Sequence, residues 1–329
     1  MFRRRENEIG NMNGTAPQIE IIAPFRAAFE WMKAMLFRPF DVAKWLTIAF
    51  AAFISGNLGG GGNFRGLSRL GDGDWKYRAT RHGDWPSDWN FTPWIVAVVV
   101  GIVLIALVLG IVWMWVSSRG RFIFTDCVVK NRGAIGEPWR EYRREGNSFF
   151  LFSLVVAAGM MVLVLFTGLV MVILLGGFSG DRTLSGASGA LFVVVLIIFG
   201  LIWFALIVAW ALISHFMVPV MYRRRCSARE AFAGVAKLIA ANPGPFVLFV
   251  LFGIALAIGV AIVATMVTCL TCCIGGLPYI STVLLLPAIV WLATFKLMFI
   301  RQFGDPYDVW ANAPAPAPST LPPPPTAPA

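Results

Sequence analysis

Chemistry needs a nucleophile, a base, paired acids or a ligand set, and the chain offers few of these. Ser188 stands in Gly186-Ala187-Ser188-Gly189, a setting suited to a serine nucleophile, and His82 and His215 are the two histidines. A serine is activated only by a base within hydrogen-bond reach. His215 follows in the same apolar run, ~40 Å away if that run is a helix rising ~1.5 Å per residue, and His82 falls in a polar Gly/Asp-rich stretch. Neither completes the pair. Gly71-Asp72-Gly73-Asp74 supplies carboxylates in that same polar stretch, whereas paired acids working in a membrane must face one another there; no apolar run has a central Asp or Glu. Asp72, Asp74, Asp84 and Asp88 could attract calcium, but the twelve-residue loop with its closing Glu is missing. Cys269-x-x-Cys272-Cys273 has the spacing of a redox pair or half a zinc site. No second Cys/His cluster completes four ligands, so the reading is packing, with a disulfide among Cys269, Cys272 and Cys273 as the alternative. The residues predict no catalytic centre, no metal and no cofactor.

The chain's character lies in what surrounds these residues. Of 329 residues, 58% are hydrophobic and 13% charged, with 27 Phe and 13 Trp against 17 acids. That charged share is about half what a soluble protein carries, and the mean hydropathy is +0.75. An ordinary cytosolic enzyme is excluded.

A run of about 18 apolar residues crosses the ~30 Å hydrocarbon layer as a helix. Five runs qualify (93–118, 149–175, 190–214, 246–274 and 280–300), and a shorter sixth covers 43–58. The expectation is an all-α, polytopic bundle of six transmembrane helices with three cytoplasmic amphipathic interfacial helices. Residues 1–23 form a disordered arm, 24–310 the membrane domain with an outer loop at 59–92, and the Ala/Pro-rich 311–329 a disordered tail. No cleavable leader precedes the first run. With this threading, 21 of the 27 lysines and arginines fall on one side. Basic residues are retained in the cytoplasm, so both termini are expected there, and Cys127 and Cys226 with them.

Each cytoplasmic segment ahead of a pair of runs reads as a surface helix. In 24–40, Phe25, Phe29, Met32, Leu36 and Phe40 recur at three and four, a period that gathers them on one face. The segment 227–246 is similar, and 135–149 is less regular. Phe40, Phe149 and Phe246 begin the three hairpins, which suggests a three-fold repeat of surface helix plus two spans. Arg26, Lys33, Arg38, Arg223, Arg224 and Arg225 are the candidates to touch anionic head groups, at ~1 kcal/mol per basic residue near the surface. Nucleic acid is disfavoured, because no soluble domain exists to read it.

Within the runs, Lys296 is the one ionisable residue well inside and lies near enough to Arg301 to snorkel outward. Proton-coupled transport is thereby disfavoured. Pro287 frees a carbonyl and should kink its helix; with Thr294 it is the candidate lining of a cavity.

Several segments look familiar: Leu36-Phe37-Arg38-Pro39-Phe40-Asp41-Val42-Ala43-Lys44-Trp45, Gly120-Arg121-Phe122-Ile123-Phe124-Thr125-Asp126, Val218-Pro219-Val220-Met221-Tyr222, and Cys272-Cys273 through Leu277-Pro278-Tyr279-Ile280 and Leu285-Leu286-Pro287 to Arg301-Gln302-Phe303-Gly304. Together they resemble a family of uncharacterised bacterial multi-pass proteins akin to the membrane-domain family named after glycerophosphoryl diester phosphodiesterase. The resemblance implies a bacterial inner-membrane protein with six spans. It does not imply hydrolysis, which belongs to a separate soluble barrel, and it brings no site residues. The expected function is non-enzymatic: organising membrane lipid, or a homo-oligomer or membrane partner, through the surface helices. The alternatives are a carrier or channel for a neutral or amphiphilic solute and, last, a serine-type hydrolase at Ser188.

Overall fold

The computed structural model describes residues 19–56, 93–178, 186–270 and 278–312. The outer loop 59–92, the arm to residue 18, the tail from residue 313, and Cys272 and Cys273 fall outside these. All described elements are helical: α1 (Ile22–Phe37), α2 (Val42–Ile54), α3 (Pro93–Val129), α4 (Gly136–Glu141), α5 (Arg143–Phe178), α6 (Gly186–Arg224), α7 (Ala228–Ala241), α8 (Pro243–Leu270), α9 (Pro278–Leu284) and α10 (Leu286–Arg301), then 3-10 turns at Asp305–Tyr307 and Val309–Asn312.

Four helices, α3, α5, α6 and α8, are long and apolar enough to cross a membrane, which makes this a membrane protein by length and composition. The sixth expected run is instead broken into α9 and α10, and the first is the 13-residue α2, only ~20 Å long. The long helices bury little of their apolar stretches: Leu107, Val162, Leu201 and Ile258 are all more than half exposed. In water such surface would be intolerable; in lipid it meets a medium as apolar as itself. The buried residues concentrate at one end, hereafter the base, where the last turns of α3 and α6 meet the start of α8 and most of α10.

Aromatic rings fill the base. Phe249 and Phe299 stack at 4.6 Å, and Phe246 meets Phe216 edge-on at 5.3 Å. Beside them lies a polar knot around Asp126, which is fully buried. Its carboxylate receives Lys130 Nζ at 2.7 Å, Arg132 Nη2 at 2.9 Å and the Tyr222 hydroxyl at 3.0 Å. Tyr142 stacks on Tyr222 at 4.8 Å, and burial pushes the Tyr142 phenol above its ordinary range.

The short helices dock on this base. Asp41 caps α2 by accepting from the backbone N–H of Ala43 at 2.8 Å and of Lys44 at 3.3 Å. Where α2 ends it crosses α3 at Gly120: a Cβ there would lie 2.5 Å from Ile54 Cγ2 and 2.9 Å from the Ser55 backbone N. Pro287, near the start of α10, cannot donate to the carbonyl four residues earlier. That carbonyl belongs to Val283, and the Trp45 indole donates to it at 3.2 Å. Ser227 and Glu230 close a reciprocal capping box at the start of α7.

Two of the three expected surface segments sit in a different setting. The apolar stripe of α1 is largely turned onto protein: Phe25 lies 4.5 Å from Trp291, and Met32 and Leu36 are buried, leaving Phe29, Phe37 and Phe40 outward. The segment 135–149 is a six-residue helix, a break at Tyr142 and the start of α5, with no separate surface helix. The described helices and turns run from Ile22 to Asn312. Glu20 and Gln302 exchange two hydrogen bonds of 2.9 Å, Ile21 and Val309 are buried, and Ala311 and Asn312 complete a turn. Of the three aligned phenylalanines, Phe149 and Phe246 are buried while Phe40 is 60% exposed.

Candidate functional site

A recess of about 330 Å³ opens between α2, α3, α6 and α10, at the lower end of the ~300–1,000 Å³ typical of small-molecule sites. Helical periodicity builds its walls. From α3 come Arg121, Phe124, Thr125 and Val128; from α6 come Trp210, Ala211, Ser214, His215 and Val218; from α10 come Ala293, Lys296 and Leu297. Both longer sets follow the three-and-four spacing of one helix face. Ser55 and Gly56, at the end of α2, close the remaining side.

Its electrostatics are one-sided. Arg121 and Lys296 face the recess with His215, near enough to repel one another, and no carboxylate lines it. Among the described residues Arg121 meets only the face of Phe149, its guanidinium carbon 5.3 Å from the ring centre, and Lys296 has no ion pair or hydrogen bond. Asp126, five positions beyond Arg121, is already claimed by Lys130, Arg132 and Tyr222. A charge taken out of water without a partner costs several kcal/mol, so this arrangement favours an incoming anion. The hydroxyls cannot substitute as donors, because they are engaged with carbonyls of their own chain: Ser55 with Ala52 at 2.7 Å, Thr125 with Arg121 at 2.8 Å, Ser214 with Ala211 at 3.1 Å. The N–H donors of Arg121, Lys296, His215 and Trp210 are therefore what the walls offer a negative group. Pro219 also leaves the His215 carbonyl without its usual helix donor, which adds one acceptor.

The recess sits where polarity changes along the helices. Below it lies the base. Above it on α6, successive turns from His215 and Ala211 bring the exposed Ile207 and Phe204; above Arg121 on α3 come Gly110, beside which there is open space, and the exposed Leu107. Arg119 marks the same level, its guanidinium 4.4 Å from the centre of the Trp115 ring and 5.1 Å from that of Trp139. Rings and cations of this kind gather at membrane–water boundaries.

The residues expected to act are distributed otherwise. Neither Pro287 nor Thr294 lines the recess: Thr294 is fully buried, and Pro287 opens α10 two turns away. Of the six surface cations, Arg26, Arg38, Arg224 and Arg225 are exposed. Lys33 pairs with Glu30 at 2.8 Å and lies over Phe29, and Arg223 donates to the Asp305 carbonyl at 3.5 Å. Arg225 pairs with Glu141 and Glu145 and stacks on Tyr142 at 4.0 Å. Cys269 is exposed. Ser188 and His215 belong to one continuous helix, α6, near opposite ends.

Sequence reasoning missed Arg121 and Lys296. Arg121 lies past the apolar run 93–118 but on the same helix, which continues to Val129, and Lys296 reads from sequence as a snorkelling residue. The available signal was a basic or imidazole side chain just past the apolar stretch on three separate helices. No curated protein and no solved structure matches the chain. A family of unknown function (DUF7544) matches residues 20–304, and the chain belongs to that family.

Proposed function

We propose that this is a non-enzymatic integral membrane protein that draws the acidic head group of an anionic amphiphile into the recess and so organises lipid at one face of the bilayer. The observation that supports this reading is the pair of cations without carboxylate partners, Arg121 and Lys296, at the foot of helix faces exposed to lipid. A head group held there leaves its chains room beside Leu107 and Gly110 on α3 and Ile207 and Phe204 on α6. The basic base then faces the cytoplasm of a bacterial inner membrane with both termini, a placement that the distribution of lysine and arginine supports. In this reading α2 and the α9–α10 pair are the short and the broken members of six spans. Arg26, Arg38 and Arg224 add a looser attraction for anionic lipid. A homo-oligomer or a membrane partner remains compatible with the arrangement.

A carrier for a neutral solute is disfavoured by the recess's charge, and a serine hydrolase by the separation of Ser188 from His215. The test is lipid binding by the full chain in nanodiscs. The expected result is a preference for anionic over zwitterionic lipid that Lys296→Met and Arg121→Gln each weaken by about tenfold, the size of one lost charge-assisted contact. Equal binding of both lipid classes by the unaltered protein overturns the reading.

A further inference from the structure

We propose, resting on the recess being a head-group site, that the group it selects is a phosphate monoester dianion and not a phosphodiester or a carboxylate. Charge balance is the first argument. Two basic side chains, Arg121 and Lys296, line the recess, and no acid among the described residues offsets either. A phosphate monoester carries about −1.5 to −2 at neutral pH, enough to neutralise both. A phosphodiester or a carboxylate brings a single charge and leaves one cation unpaired in a half-buried place, the costly outcome.

Donor geometry is the second. A terminal phosphate presents three free oxygens, and three separate groups from three helices can meet them: the planar fork of Arg121 from α3, His215 from α6 and the ammonium of Lys296 from α10. A phosphodiester has two free oxygens and a second ester arm that the enclosed volume must also hold. An acceptor on the wall, the His215 carbonyl that Pro219 deprives of the usual helix N–H, suits a residual P–OH or a neighbouring glycerol hydroxyl.

The chemistry could arrive on a lipid such as phosphatidic acid or on a soluble phosphate ester; the exposed apolar faces above the recess favour the lipid. The experiment uses the full chain in phosphatidylcholine nanodiscs doped separately with phosphatidic acid, phosphatidylglycerol or oleate, with bound lipid counted by native mass spectrometry. Glycerol 3-phosphate and inorganic phosphate are then added as soluble competitors. Phosphatidic acid should bind about tenfold more tightly than the other two anions, one charge contact's worth, and the soluble competitors should displace it only weakly. Lys296→Gln should remove that selectivity while keeping a preference for anionic over neutral lipid, and Arg121→Lys, which keeps the charge but loses the planar fork, should retain only part of it. Equal binding of phosphatidic acid and phosphatidylglycerol by the unaltered protein overturns the monoester assignment and leaves the head-group site standing. No preference among any of the lipids overturns the site itself. Full displacement by glycerol 3-phosphate overturns the lipid source.

Discussion

The indole of Trp45, on α2, donates at 3.2 Å to the carbonyl of Val283, the acceptor that Pro287 leaves without a helix donor. A break in one helix is thus closed by a side chain from another, and Trp45 is held in turn by Phe37 and Phe40, each 5.6 Å from its ring centre. Trp45→Phe keeps the ring and removes the donor, so the protein in detergent should lose about 1–3 kcal/mol, the cost of an unsatisfied buried carbonyl. Pro287→Ala restores a backbone N–H four residues after Val283. In that background Trp45→Phe should cost at least ~1 kcal/mol less. Equal costs in both backgrounds, read by thermal unfolding, would show that the bond contributes nothing to the break.

Asp126 gathers three donors in a site closed to solvent, and its removal should rank highest among single changes to the base. Asp126→Ala leaves Lys130 with only its 3.4 Å contact to Glu141, takes the carboxylate from the Tyr222 hydroxyl, and should cost about 3–5 kcal/mol. Tyr222→Phe deletes one hydrogen bond to a carboxylate that keeps its two cations, at about 1.5–3 kcal/mol. The order of the two losses in chemical or thermal unfolding is the measurement, and a Tyr222→Phe loss equal to that of Asp126→Ala would contradict the arrangement.

Gly120 sets how closely α2 approaches α3, since the added Cβ would meet Ile54 and the Ser55 backbone below 3.0 Å. Backbone cannot swing aside as a side chain does, so Gly120→Ala should displace the end of α2 and cost about 1–3 kcal/mol. Ser55 and Gly56 move with it, and they close the recess. Reduced anionic-lipid binding should therefore accompany the stability loss. Gly110→Ala, where nothing lies within 4 Å, should change stability little and serves as the comparison.

How much of this was legible from the residues follows the physics of each signal. Apolar length announces a spanning helix, and α3, α5, α6 and α8 were readable for that reason. Pro287 announced a kink, because its missing N–H is a local property. What completes the kink was hidden: Trp45 lies 238 positions from Val283, and periodicity carries no information across that distance. What covers α1 is hidden for the same reason. A stripe of Phe25, Met32 and Leu36 fits lipid or protein equally, and only the fold reveals Trp291 opposite Phe25. The basic recess was harder still. Arg121, His215 and Lys296 are each unremarkable alone; their meaning arises from three helices ending their apolar stretches at one level.

The exposed cations separate a diffuse attraction for lipid from the recess and from internal pairing. Arg26, Arg38, Arg224 and Arg225 are exposed, and Arg225 pairs with Glu141 and Glu145. Replacing the first three by Gln should lower the enrichment of phosphatidylglycerol around the protein by about 1 kcal/mol per residue at most. That loss should fade as salt shortens the screening length. Arg225→Gln should leave the enrichment unchanged and lower stability by under about 1 kcal/mol, because the pair is partly solvated. It also occupies a left-handed backbone position, φ 52°. Arg225→Gly, which suits that conformation, should therefore cost less than the loss of both ion-pair contacts alone implies. Spin-labelled lipid association reads the first effect and thermal unfolding the second. Should Arg225→Gln reduce lipid enrichment as much as Arg224→Gln does, the pairing with Glu141 does not withhold Arg225 from the bilayer surface.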